Sequence, residues 1–287
     1  MSELAPADPV QLGDDGVPEL YRSGRAKQVQ ARNRRWAAYA VGLAVLVPVV
    51  AFADWKTIRE SYFDWQYAKE LFPEIITIGA RNTLIYTFFA FVGGVMLGVS
   101  MAVLRMSSIK PYRWFATAYV EIFRGFPALL TIILVGYVTP IAIHHQFPQV
   151  LGIESSGALA LAIVAGAYLA ETMRAGIEAV PKGHIEAARS LGMTNSQTLR
   201  IIVLPQALRI MVPPLTNELV LLLKDTSLLA VLGATPESRE LLKYANDSVG
   251  MTFNGTPLIV AGVIYLLITI PLTRLVAQLE KKNRAIR

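Results

Sequence analysis

The sequence predicts an all-α, polytopic membrane protein, and three observations carry that prediction. Hydrophobic residues make up 54% of the 287 positions against 17% charged, and the mean hydropathy is +0.45, both outside the soluble range. Six apolar segments lie near 36–53, 80–104, 123–143, 157–174, 206–232 and 257–279. Each is long enough to count as a span of a hydrocarbon core about 30 Å thick. The basic residues fall between these segments with alternating weight, which is the pattern topology imposes.

That weight sets an orientation. The connections 1–35, 105–114, 176–205 and 280–287 hold 16 Lys and Arg, whereas 54–78, 144–156 and 233–256 hold 5. The positive-inside rule places both termini and the 176–205 stretch in the cytoplasm of a multi-pass cell-membrane protein. The same clustering explains the pI near 9.5 as topology, so no nucleic-acid partner is expected. With no cysteine in the chain, disulfides, thiolate metal sites and cysteine nucleophiles are excluded.

Taken in order, residues 1–35 read as a disordered cytoplasmic tail, polar and rich in Pro, Gly and Asp over 1–20. The basic run Arg22 to Arg35 then acts as the stop that holds it inside, with anionic lipid as a secondary contact. Residues 36–78 form an N-terminal transmembrane helix and an outer surface segment. The first span also fits a cleaved signal, since Ala51-Phe52-Ala53 follows the apolar run and Arg34-Arg35 precedes it. A retained anchor is favoured because an n-region of about 35 residues is too long for a signal. Residues 79–287 form the main transmembrane domain, including the less regular fifth span, which Pro213-Pro214 interrupts. Gly94-x-x-x-Gly98 suits close helix packing.

Within that domain, the stretch 181–205 is polar and cannot cross a bilayer as one helix. Pro181 and Gly183 close the preceding span, and His184 to Leu191 read as a short helix stopped by Gly192 in a left-handed turn. Thr194 and Gln197 then form a capping box for a second helix, Asn195 to Val203, until Pro205 opens the next span. A first helix of about eight residues does not hold itself together in water. Ile185, Ala188 and Leu191 give it an apolar stripe with no evident core of its own, and small residues at 187, 188 and 190 allow close approach. A solvated loop is the bland reading; a plug for a partner's cleft fits the pattern better.

The order Glu186-Ala187-Ala188, then Gly192, then Ile202-x-Leu204-Pro205 resembles the signature of the membrane-spanning permease subunits of ABC importers. The blocks YVEIFRGFP (119–127), AYLAETMRAGIEAVPKG (167–183), LPQALR (204–209) and NELVLLLKDTSLL (217–229) resemble its polar amino-acid branch. The likeness covers about 79–280. His184 stands where that branch usually has Gln, and Phe126 where it usually has Thr. The resemblance implies a type I importer permease with five core transmembrane helices plus one N-terminal helix. It makes the insert the coupling helix, with Gly183, His184, Glu186, Ala187, Ala188, Gly192 and Pro205 contacting a cytoplasmic ABC ATPase subunit. It further implies a second permease subunit, identical or paralogous, and an extracytoplasmic amino-acid-binding protein. The chain has no G-x-x-x-x-G-K-[ST] phosphate loop. It is therefore expected to be no enzyme and to carry no cofactor, with ATP and Mg bound by the partner ATPase.

Ionisable residues inside spans default to functional candidates. Asn217 and Glu218 lie roughly 18–20 Å along the fifth helix from Pro205, and Lys224, Asp225, Thr226 and Ser227 follow two turns on. An amino acid presents a carboxylate and an ammonium; Lys224 with Asp225 or Glu218 supplies matching charges, and the hydroxyls complete the contacts. Neutralisation of partners within the bundle is the competing reading. Arg124, near the inner end of the third span, is a snorkelling interfacial anchor with a gate role behind it. Glu171 and Arg174 form a local i,i+3 pair. His144 and His145 lack carboxylates at ligand spacing, so no metal site is expected. The expected activity is ATP-driven import of a polar or charged L-amino acid; the alternative is an ion-coupled secondary amino-acid transporter, which leaves the insert unexplained.

Overall fold

A computed structural model describes residues Glu19–Arg284. The residues up to Ile58 form one compact unit and those from Arg59 onward a second. The first unit is dominated by α1 (Glu19–Phe52), whose apolar stretch Gln30–Phe52 is long enough to cross a membrane. Its start corrects the expected tail. No proline lies between Glu19 and Pro48, so the basic run Arg22 to Arg35 continues the helix. The remainder of the expected tail, residues 1–18, lies outside the described residues. Beyond α1 come two short helices, α2 (Trp55–Tyr62) and α3 (Trp65–Glu70).

The second unit is a helical bundle. It contains α4 (Ile75–Arg105), α5 (Lys110–Gly125), α6 (Ala128–Ile143), α7 (Ser155–Glu178), α8 (Lys182–Ser190), α9 (Asn195–Val231), α10 (Leu241–Thr252) and α11 (Thr256–Arg284). A two-residue hairpin, β1 (Gln149–Val150) with β2 (Ile153–Glu154), joins α6 to α7. Together with α1, five helices among the described residues are long and apolar enough to cross a membrane. A sixth span results if α5 and α6 count as one path.

The third span differs from its expectation. α5 and α6 are bent by 109° at Phe126-Pro127, so Arg124 lies in the last turn of α5 and the apolar run begins at Ala128. The cause is local, because Pro127 has no amide hydrogen to continue α5 and holds Phe126 extended. α5 is amphipathic. It buries Ala116 and Val120 against Met101 and Ala170 and leaves Tyr112, Trp114 and Phe115 exposed.

The core centres on α4 and α7, and small residues make their close approach possible. A Cβ on Gly98 would lie 2.8 Å from the Cβ of Leu169, and one on Gly94 would lie 3.0 Å from that of Ala165. Across the seam, a Cβ on Gly166 would lie 2.8 Å from that of Leu97. The expected Gly94/Gly98 packing is thus present, with van der Waals contact as its driving force. Gly98→Leu should force the helices apart at a cost of about 1–3 kcal/mol or more. We expect a lowered unfolding midpoint in detergent; a midpoint equal to wild type would show that this seam does not hold the bundle.

α9 also corrects an expectation. Pro205 does not open a new helix, since Asn195–Val231 runs without a break. A π-helical stretch, Thr198–Val203, ends with Leu204 alone between it and Pro205, and the widened turn accommodates a residue that cannot donate. Further along, Pro213-Pro214 lie inside the helix. There the Thr216 hydroxyl donates to the carbonyls of Val212 and Pro213, at 3.0 and 2.8 Å.

Candidate functional site

The insert folds as its local chemistry dictates. At the end of α8 the Gly192 amide donates to the Arg189 carbonyl and the Met193 amide to that of Ala188, at 3.0 and 3.1 Å. This is a Schellman stop, and Gly192 occupies its left-handed position with φ +80°. Two residues later the box closes. Gln197 Oε1 accepts from the Thr194 amide at 2.8 Å, and Thr194 Oγ1 accepts from the Gln197 amide at 3.3 Å.

The apolar stripe of α8 does find a core, contrary to expectation, and that core belongs to this chain. Ala188 is buried and Ile185 packs against the cluster that includes Val180, Val203 and Ala207. Leu191 alone stays 84% exposed. Docked this way, α8 turns Gly183, His184, Glu186 and Ala187 outward. One polar tie adds to the packing, since His184 Nδ1 lies 2.8 Å from Gln206 Oε1. Pro205 is also exposed, beside this tie on α9.

The α9 candidates separate into three groups. Asn217, Leu221 and Lys224, at i, i+4 and i+7, form an exposed face. Glu218 and Asp225, seven apart, share a neighbouring half-buried face. Among the described residues none of Glu218, Lys224 and Asp225 makes a salt bridge. Thr226 belongs with neither face. It is 0% exposed, and its hydroxyl donates to the Leu223 carbonyl at 2.7 Å. Ser227 likewise spends its proton on the Lys224 carbonyl, at 2.7 Å. These two hydroxyls secure the change from α to 3-10 geometry at Thr226–Val231.

At the bundle end that carries the insert, an ion cluster joins three helices. Arg105 of α4 donates to Glu171 of α7, and Arg174 donates to the same carboxylate. Arg124, at the end of α5, reaches it at 4.0 Å and lies 5.6 Å from the Tyr168 ring centroid. Glu178 takes a second, bidentate share of Arg174, both contacts at 2.6 Å. The expected local pair is present, but Glu171 is in fact the hub of a tertiary network. Arg124 is part of that network as well as 44% exposed, a finding compatible with both roles expected of it. Arg105 was missed, as 66 positions separate it from Glu171.

A second polar cluster at the opposite end was also missed. The Asn82 amide donates to the carbonyls of Glu237 and Arg239, and the Leu241 amide donates to the Thr83 hydroxyl. Glu240, 2% exposed, caps α10 by accepting from the Leu242 and Lys243 amides, and accepts from the Tyr265 hydroxyl at 3.0 Å. Burial pushes its carboxyl up to about 7, against the pull of those hydrogen bonds and of Lys243. The fold therefore holds this proton more tightly than the unfolded chain, whose value is near 4.5. Stability from this group is greatest below that value and declines as pH rises to about 7. Unfolding midpoints taken from pH 5 to pH 8 should fall in the wild type by a component that Glu240→Gln removes. Parallel profiles would contradict this assignment.

A bundle of membrane-length helices with a docked polar insert at one end and unpaired ionisable groups along one helix defines a class: a polytopic membrane transport subunit. More particularly, the chain belongs to the family of binding-protein-dependent transport system inner membrane components, whose model matches residues 94–285. It is 34% identical over 257 residues to the arginine transport system permease protein ArgU of Corynebacterium glutamicum, covering 86% of this chain and 80% of that one. It is 38% identical over 210 residues to the probable glutamine ABC transporter permease protein GlnM of Bacillus subtilis, covering 71% of this chain and 91% of that one. Among solved structures, an amino acid ABC transporter crystallised with histidines matches with TM-score 0.68 at 34% identity, over 76% of this chain and 98% of that one. The permease family is not itself catalytic, and the type I fold expected from the sequence is borne out.

Proposed function

We propose that this chain is the permease subunit of an ATP-driven importer that moves a polar or charged L-amino acid into the cytoplasm. The observation that carries the reading is the outward presentation of Gly183, His184, Glu186 and Ala187 on a helix whose inner face is anchored to α9. A cytoplasmic ABC ATPase that binds ATP and Mg docks there, an extracytoplasmic binding protein delivers substrate, and a second permease subunit completes the path. Both termini are then cytoplasmic.

Relatives named for arginine, for glutamine and for glutamate and aspartate support the substrate class. So does the chemistry of α9. Asn217 and Lys224 lie exposed on a membrane-length helix, where a lipid contact is costly for a cation. A water-filled path between two permease subunits accommodates them instead. Lys224 matches a substrate carboxylate; Glu218 and Asp225 match an ammonium. Thr226 and Ser227 hold the shape of the path rather than touch the cargo.

The test is uptake by the complete complex in proteoliposomes, offered labelled L-arginine, L-glutamine, L-glutamate, maltose and Mn²⁺. Uptake of at least one amino acid, lost in Glu218→Gln or Lys224→Met, supports the reading. Uptake of the sugar or the metal ion alone would refute the substrate class.

A further inference from the structure

His184 and Gln206 are 22 positions apart in sequence and meet at 2.8 Å. The direction of their hydrogen bond follows from a neighbouring contact. Gln206 Nε2 donates to the Ile202 carbonyl at 2.9 Å, which fixes the amide with Oε1 turned toward the imidazole. An oxygen there only accepts, so His184 carries its proton on Nδ1 and donates it. The ring is thereby oriented by α9, while the remainder of His184 lies on the exposed face of α8.

This bond is the only side-chain hydrogen bond from α8 to α9 among the described residues. Besides the turn through Gly192 that joins the two helices, the other attachment is apolar, Ile185 against the cluster that includes Val203 and Ala207. Apolar contact resists separation but does not fix rotation or sliding, because it is non-directional. A hydrogen bond resists both. Past Gln206 the helix continues unbroken to Val231 and carries Asn217, Glu218, Lys224 and Asp225. Gln206 therefore lies on the same helix as the candidate substrate groups, on the insert side of them.

We propose that the His184–Gln206 hydrogen bond is the positioning element that transmits displacement of the insert to α9. His184 acts through Gln206, and what it requires is a donor at this place rather than an imidazole. When the ATPase moves α8, the bond makes α9 follow; without it α8 is held to α9 by the turn and its apolar seat alone, and less of the motion is passed on.

This inference rests on the proposed ATPase docking, and its test separates the two. The complete complex, with its ATPase and binding protein, is reconstituted with whichever of L-arginine, L-glutamine and L-glutamate the wild type transports. The readout is molecules transported per ATP hydrolysed, with ATPase co-purification measured in parallel. His184→Ala and Gln206→Leu should each lower the ratio about fivefold, the factor that one ordinary hydrogen bond is worth. The double variant should be no worse than either single, and His184→Gln, which retains an N–H donor, should restore most of the ratio that His184→Ala loses, counted per complex that retains its ATPase. An unchanged ratio in Gln206→Leu, additive losses in the double variant, or a His184→Gln as impaired as His184→Ala would each overturn the proposal. Glu186→Lys reports on docking alone. If it releases the ATPase while Gln206→Leu transports normally, only the positioning role falls; if it leaves binding and transport intact, the docking reading falls as well.

Discussion

Glu171→Gln is expected to destabilise the bundle by about 2 kcal/mol or more. The wild-type carboxylate accepts from Arg105 and Arg174 and lies 4.0 Å from Arg124. Glutamine leaves three guanidinium groups converging on a neutral side chain, and only Arg174 retains another carboxylate, that of Glu178. Removing one partner of a buried pair costs about 3–5 kcal/mol. Glu171 is 24% exposed, so water screens part of that, and a loss of about 2 kcal/mol or more remains. α4, α5 and α7 should loosen together at the end that carries the insert. Unfolding midpoints in detergent and the yield of assembled complex report the effect, and Glu171→Asp should recover part of it. A Glu171→Gln protein as stable as the wild type would show that the arginines are held by other contacts.

Gly192→Val is expected to have the largest effect on function for its size. The position has φ +80° and nothing within 4 Å of an added Cβ, so the substitution meets no clash and acts through the backbone alone. A left-handed residue bearing a Cβ costs roughly 1–2 kcal/mol, with more for β-branching. The Schellman stop should open and α8 should lose its set relation to α9. On the proposed function, ATP hydrolysis then continues while transport per ATP falls. Gly192→Asn, which tolerates positive φ, should be close to wild type. Equal coupling in the valine and wild-type proteins would mean that the turn does not set the position of the insert.

The parts of the site that were legible in sequence are those whose chemistry is local. Gly192 and the Thr194/Gln197 box were read correctly because caps depend on residues within one turn. The Gly94/Gly98 seam was legible from spacing alone, although its partner, the Ala165 to Ala170 stretch of α7, was not. What failed was tertiary. The apolar stripe of α8 looked unpartnered because its seat lies after the next turn, with Val203 assigned to a separate short helix and Ala207 to the span beyond Pro205. The π-helical turn that carries the chain past that proline leaves no signal in the residues. Arg124 was placed on a span because the apolar count runs from 123, whereas Pro127 sets the actual break. Thr226 was grouped with its neighbours by sequence adjacency, yet helix rotation turns it inward while Lys224 faces out. Glu240 carries no local mark that separates a buried helix cap from a loop carboxylate.

Amino-acid uptake into proteoliposomes holding the complete complex, driven by ATP with no ion gradient or by a proton or sodium gradient with no ATP, separates an ATP-driven importer from an ion-coupled one. ATP alone should drive uptake, which Glu186→Lys should abolish by releasing the ATPase, and neither gradient alone should drive any. Uptake driven by a gradient without ATP and unaffected by Glu186→Lys would contradict ATP-driven import. Glu218 and Asp225 would then be sites for the coupling ion.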